Sequence, residues 1–316
     1  MVAVMTPETS HTGSAEKTGE SKKPLRRLFV FLDMIKFAHT IFAMPFALTA
    51  YALAVAAVTN PGWLRFFLVI AALVAARTMA MAFNRFVDAG LDAENPRTAE
   101  RAIPAGKLSR TFALVVTIVF AAAFVALTYF MNNLAFALSP VVLVVLLGYS
   151  FTKRFTSLTH FGLGLALGLA PLGAHIAVTG AFSGKIAAAT AVLGFAVMLW
   201  TAGFDIIYSC QDYDFDVAKR LRSIPAKFGI RQALLMSQAL HAAMIVALLG
   251  VLFLAWPHLR YTFCFGIVGT AVMLIYEHSL VKPYDLSRVN TAFFTMNGCV
   301  SVFLFITALV DLFLVK

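Results

Sequence analysis

The chain has 316 residues, of which 61% are hydrophobic and 13% charged, with a net charge of +10. Soluble domains carry about 25% charged residues, so a chain with mean hydropathy +0.86 lacks the polar groups to cover itself in water and takes the bilayer as its solvent. The basic excess does not point to nucleic acid, because its distribution follows membrane topology, and Cys210, Cys264 and Cys299 lie in or beside apolar segments without disulfide or zinc spacing.

Residues 1–24 are polar and rich in Ser, Thr, Glu and Lys, with no apolar h-region or cleavage pattern. They read as a disordered cytoplasmic tail ahead of one membrane domain over 25–316. Apolar runs long enough to span follow at about 37–58, 64–83, 112–130, 134–151, 161–178, 186–207, 233–255, 261–277 and 291–314, predicting an all-α membrane protein of nine transmembrane helices bundled around a central cavity.

With the N-terminus inside, the inner segments carry 20 of the 25 Lys and Arg residues. Arg65, Lys185, Arg260 and Lys316 fall on the other side, and Arg77 lies within a helix. This bias orients the 84–111 and 212–232 loops toward the cytoplasm, as expected for a multi-pass protein of a bacterial cytoplasmic membrane. These are the longest interhelical loops, where function tends to concentrate.

Acid is scarce: of 15 carboxylates, eight fall between Asp88 and Glu100 or between Asp205 and Asp216. Asp88 and Asp92 are four apart, as are Asp212 and Asp216, so on a helix each pair shares a face. Arg77, Asn84, Asp88 and Asp92 follow one face of a 3.6-residue period, as do Asp205, Asp212 and Asp216, with Tyr208 on the same side. Charges facing lipid are expensive, so both faces should line a cavity.

The chain also repeats itself. Asp88-x-x-x-Asp92 is followed by Arg101-Ala102-Ile103-Pro104-Ala105-Gly106-Lys107, and Asp212-x-x-x-Asp216 by Arg222-Ser223-Ile224-Pro225-Ala226-Lys227. Two similar halves facing one cavity are the expectation. Like-charged pairs this close need a cation between them, and Mg2+ is commonly held by a few carboxylates plus substrate phosphates. Lys and Arg take the remaining phosphate oxygens. No Walker sequence appears, so a diphosphate on a lipid tail fits better than a nucleotide. Tyr149 and Lys153, four apart, end the fourth span on the same side as both acidic stretches.

At this point the residues resemble a family. Asn84-Arg85-x-x-Asp88-x-x-x-Asp92 and Asp205-x-x-Tyr208-x-x-x-Asp212-x-x-x-Asp216 are similar to the two signatures of the UbiA superfamily of intramembrane aromatic prenyltransferases. Arg97-Thr98 through Gly106, Tyr149-x-x-x-Lys153-Arg154 and Gly162-x-Gly164-x-x-x-Gly168-x-x-Pro171 extend the resemblance, which covers about 25–314. It implies nine helices around a cavity and Mg2+ bridging both motifs through a prenyl diphosphate. By position, Asn84, Asp88, Asp92, Asp212 and Asp216 would hold metal, and Arg85, Lys153 and Arg154 would face the diphosphate. The extra Asp214 lies off the motif face and should point to solvent.

The implied reaction is electrophilic substitution on an electron-rich ring, in a site whose walls exclude water. Asp205, deeper on the motif face, is the candidate base or acceptor-orienting group. Residues around the first motif resemble members that prenylate 4-hydroxybenzoate in quinone synthesis, and equally members that act on a dihydroxynaphthoate on a menaquinone route. In both acceptors a carboxylate would suit Arg77 or Arg85. Haem farnesyltransferase, chlorophyll-type synthase and phosphoribosyl transferase activities stay open within the superfamily. Secondary transport is the rival class, but transporters tend to bind near the midplane at interrupted helices, whereas both acidic stretches sit at one edge.

Overall fold

The computed structural model describes residues 29–35 and 43–315. The tail expected at 1–24, and residues 37–42 of the first expected span, lie outside these. The elements are α1 (Met44–Ala57), α2 (Gly62–Glu94), α3 (Arg110–Met131), α4 (Asn133–Thr152), α5 (Thr159–Thr179) and α6 (Gly184–Ser209). A 3-10 turn, Cys210–Asp212, leads into the short helices α7 (Tyr213–Ala218) and α8 (Ile224–Phe228). Then come α9 (Ile230–Ala255), α10 (Tyr261–Leu280) and a π-helical turn, Thr291–Met296, that runs into α11 (Asn297–Phe313).

Among the described residues, eight stretches are long and apolar enough to cross a membrane, and α1 is a shorter apolar helix. That agrees with the nine expected helices and makes the chain an integral, multi-pass membrane protein. Among the described residues there is no strand, only an isolated bridge between Lys282 and Asp285. The outside of the bundle is apolar: Phe253 is 82% exposed, Val144 72% and Ile275 71%, a surface that suits lipid. Helix starts follow from capping chemistry. Ser109 Oγ accepts from Phe112 N–H at 3.0 Å, and Asn132 Oδ1 accepts from Ala135 N–H at 2.9 Å.

Two features place the acidic stretches. The α2 helix is 33 residues long, roughly 50 Å at 1.5 Å per residue, which exceeds a hydrocarbon core of about 30 Å. It therefore continues well past the span expected at 64–83 and carries Asp88 and Asp92 on its own last turns. The second feature is a departure from expectation. The α6–α7 run is broken at Cys210–Asp212 by the 3-10 turn, so Asp205, Asp212 and Asp216 do not follow one uninterrupted α-helical face. Past this turn Asp216 is fully buried. Asp214 is exposed, as expected from its position off the motif face.

The α5 and α6 helices pack closely because both are small where they cross. A Cβ on Gly164 would stand 2.5 Å from the Met198 carbonyl oxygen, and one on Gly168 would stand 2.5 Å from that of Gly194. Small residues at such crossings let backbones touch, which favours helix association in lipid. Around the crossing, Trp200 packs against Phe46 and Phe204 with ring centroids 5.0 and 4.9 Å apart.

Candidate active site

The ends of α2, α4, α5 and α6–α7 meet the 95–109 loop around a polar cavity of about 240 Å3. Its walls include Asn84, Arg85, Asp88 and Asp92 from α2, Arg97 and Arg101 from the loop, and Lys153 and Arg154 from the end of α4. Asp205, Tyr208 and Asp212 face them from the other half. The fold thus brings most of the residues expected from the sequence to one place.

Among the described residues, each motif aspartate is matched by a basic side chain. Asp88 accepts from Asn84 Nδ2 at 2.8 Å and lies 3.5 Å from Arg154 Nη2. Asp92 meets Arg101 Nη1 at 2.6 Å and Arg85 Nη1 at 3.7 Å. Asp212 accepts from Asn95 Nδ2 at 2.9 Å and is gripped by two nitrogens of Arg97. Asp216 meets Lys153 Nζ at 2.7 Å and accepts from Ser223 Oγ at 2.9 Å. Burial works against the Arg97 charge, but its bonds to Asp212 and Tyr208 outweigh that cost and push its pKa above the usual guanidinium value.

Not every expected residue lines the cavity. Asp216 is fully buried behind it, joined to it through Lys153. Arg77 and Tyr149 also stand outside its walls. Tyr149 packs among Met79, Leu146 and Ala166 and lies in electrostatic range of Arg77, Arg85 and Asp88, so these form a deeper basic and phenolic layer. Tyr208 accepts from Arg97 Nη1 at 2.9 Å and packs its ring on Phe293 with centroids 4.3 Å apart.

The donor set fits a hard divalent cation: four carboxylates and the Asn84 amide, all oxygen donors. Among the described residues, no three His, Cys, Asp or Glu side chains converge tightly enough to hold an ion by themselves. That matches a metal taken by one or two carboxylates from each side, with the rest of its shell supplied by phosphate and water.

Sequence reasoning missed several members. Arg97 and Arg101 belong to the loop that resembles the family after the first motif, and Asn95 just precedes it; Asn95 and Arg97 cross to Asp212 of the other motif. His160 shows no metal-ligand spacing in the sequence, yet its Nδ1 lies 2.6 Å from Asp205 Oδ2. The signal was its spacing: His160, Gly164 and Gly168 recur every four residues on the α5 face that meets α6. The repeated loops also differ in shape. Ile103-Pro104 sits in a series of turns, whereas Ile224-Pro225 opens the helix α8.

The profile of the UbiA prenyltransferase family matches residues 43–299. The chain is 30% identical to the 4-hydroxybenzoate octaprenyltransferase of Aliivibrio fischeri (strain MJ11) over 251 residues, covering 79% of this chain and 84% of that one. It is 26% identical to the enzyme of the same name from Vibrio vulnificus (strain CMCP6), over 79% of this chain and 85% of that one. Among solved structures, the apo UbiA homolog from Aeropyrum pernix K1 is 33% identical with a TM-score of 0.77, covering 87% of this chain and 98% of that chain. A UbiA homolog from Archaeoglobus fulgidus bound to DMAPP and Mg2+ has a TM-score of 0.69 at 18% identity, over 90% of this chain and 99% of that one, a likeness of fold.

Proposed function

The chain belongs to the UbiA prenyltransferase family, and from that premise we propose that it transfers a polyprenyl group from a prenyl diphosphate to 4-hydroxybenzoate, a step of ubiquinone synthesis. The observation that carries the reading is one cavity that gathers Asp88 and Asp92 of the first motif and Asp212 of the second with Arg85, Arg97, Arg101, Lys153 and Arg154. The names of the relatives support 4-hydroxybenzoate over a dihydroxynaphthoate as acceptor. The Lys and Arg bias supports an active site on the cytoplasmic side of the membrane, and the bacterial relatives support a bacterial cytoplasmic membrane.

Asn84, Asp88, Asp92 and Asp212 would hold Mg2+, with Asp216 joining them once Lys153 releases it, and the ion would supply Lewis-acid stabilisation of the departing diphosphate. The protein's own cations share that task. Arg85, Lys153 and Arg154, joined by Arg97 and Arg101, are placed to neutralise charge that grows as the allylic C–O bond breaks and its electron pair leaves on oxygen. The ring carbon ortho to the phenol oxygen gives a π pair to the allylic carbon, forming the new C–C bond. Asp205 takes the proton from that carbon, and the C–H pair restores the aromatic ring. Arg77, in the deeper layer beside Tyr149, is the candidate partner of the acceptor's carboxylate, and Tyr208 orients Arg97.

The test is to incubate the purified protein with Mg2+, prenyl diphosphates of several lengths, and 4-hydroxybenzoate, a dihydroxynaphthoate and a non-carboxylated phenol in competition, then identify products by mass. Prenylated 4-hydroxybenzoate as the main product supports the reading. Prenylation of only a non-carboxylated acceptor would overturn the acceptor class while leaving the diphosphate chemistry intact.

A further inference from the structure

We propose that His160 is a positioning residue for the proton-accepting carboxylate Asp205, held in one tautomer by the backbone N–H of Ile224. The inference rests on the reading that Asp205 takes the ring proton. It starts from two contacts on opposite edges of one imidazole. Nε2 stands 3.3 Å from Ile224 N, which can only donate, so Nε2 accepts. In the neutral ring the proton is then on Nδ1, which donates to Asp205 Oδ2 at 2.6 Å. The ring is 2% exposed and has little room to turn.

The consequence falls on Asp205. Its Oδ2 is engaged, its side chain keeps 24% exposure, and it lines the polar cavity beside Tyr208 and Asp212. The oxygen left over for a substrate proton is therefore Oδ1, and the carboxylate plane is set by His160. In the same turn, Ser223 Oγ donates to Asp216. Adjacent residues of the loop after the second motif thus fix both its last aspartate and, through His160, the carboxylate at the reacting end. The close α5–α6 crossing at Gly164 and Gly168 brings His160 within reach of Asp205.

The step to be positioned balances as written: the ring C–H bond breaks, its pair returns to the ring and the proton goes to Oδ1. A misplaced carboxylate slows that step without weakening the diphosphate site. Errors near 1 Å in such placements cost on the order of 100-fold in rate.

The experiment uses the full chain with Mg2+, a prenyl diphosphate and 4-hydroxybenzoate, either protiated or deuterated at the alkylated carbon. In the wild-type protein deprotonation should be fast and the isotope effect close to unity. His160→Leu should lower kcat by about 100-fold, leave KM for the prenyl diphosphate within about twofold, and reveal a primary isotope effect. His160→Asn, whose amide N–H keeps a donor facing Oδ2, should recover kcat to within about tenfold of wild type and return the isotope effect toward unity. Wild-type kcat in His160→Leu overturns the proposal, as does a loss without an isotope effect or one that Asn does not repair. Should His160→Leu fail to fold, His160→Asn decides alone: near-wild-type kcat and isotope effect support the proposal, and a loss of about 100-fold overturns it. Asp205→Asn separates the layers. If it keeps full kcat, the reading of Asp205 as base fails. If it is inactive while His160→Leu is not, only the role of His160 fails.

Discussion

Arg97 grips both oxygens of Asp212, with Nε 2.8 Å from Oδ1 and Nη2 2.5 Å from Oδ2. The arginine belongs to the loop after the first motif and the carboxylate to the second, so this fork ties the two halves of the fold together across the cavity. Lys219 and Glu94 repeat the cross-tie nearer the surface.

Arg97→Lys is the first test of that tie. A lysine ammonium cannot match the planar fork that spans the carboxylate and the Tyr208 hydroxyl. Cleavage within 95–109 by an added protease should become faster, and kcat/KM for the prenyl diphosphate should fall about tenfold. Digestion at the wild-type rate would show that the tie does not hold the loop.

The second prediction concerns metal dependence through both motifs. Asp88→Asn and Asp212→Asn should each lower turnover by at least about 100-fold, and EDTA should abolish it. Asp88 sits at the cavity edge with a loose 3.5 Å pairing, so its replacement should leave the thermal midpoint nearly unchanged. Full activity in EDTA or in either variant would sink the metal reading.

The α5–α6 crossing makes a stability prediction. A leucine at Gly168 drives side-chain atoms into the Gly194 carbonyl and should cost roughly 1–3 kcal/mol by overpacking. A clear drop in the thermal midpoint in detergent is expected. Gly173→Ala meets nothing within 4 Å and serves as the control, within about 0.5 kcal/mol of wild type. Equal midpoints for the two variants would contradict close contact at this crossing.

Orientation is checked with single cysteines in a variant lacking the native ones. Ser109 and Asp214 are exposed and suited to the experiment, whereas Ser223 is fully buried as the cap of α8 and is not. Cysteines at 109 and 214 should resist a membrane-impermeant thiol reagent in intact cells and react after lysis. Labelling in intact cells would reverse the topology.

The helices were legible because hydropathy registers a bilayer directly, and the motif aspartates stood out because carboxylates are rare in an apolar chain. What was not legible depends on geometry that spacing does not encode. Asp205 and Asp212 both line the cavity as their spacing suggests, but Asp216, past the 3-10 turn, is buried behind it, and hydropathy is blind to a change of helix type. Arg97 was visible as a basic loop residue, but its reach to the opposite motif depends on how the loop folds over. His160 has no acidic neighbour in sequence; Asp205 lies 45 residues away and meets it only because glycines let two backbones touch.

The pairings of Asp88 with Arg154, Asp92 with Arg101, Asp212 with Arg97 and Asp216 with Lys153 leave the cavity balanced in charge. An enclosure in that condition resists either ion alone. A divalent cation must displace a guanidinium or ammonium from its carboxylate, and a diphosphate must draw a basic group away from the same partner. Arriving together, each releases the group that the other needs, and the cavity stays close to neutral throughout. Metal and diphosphate should therefore bind with strong positive cooperativity, each tightening the other by the same factor. Calorimetric titration with Mg2+ alone should give little heat, and titration in the presence of a prenyl diphosphate should give a steep, saturating isotherm.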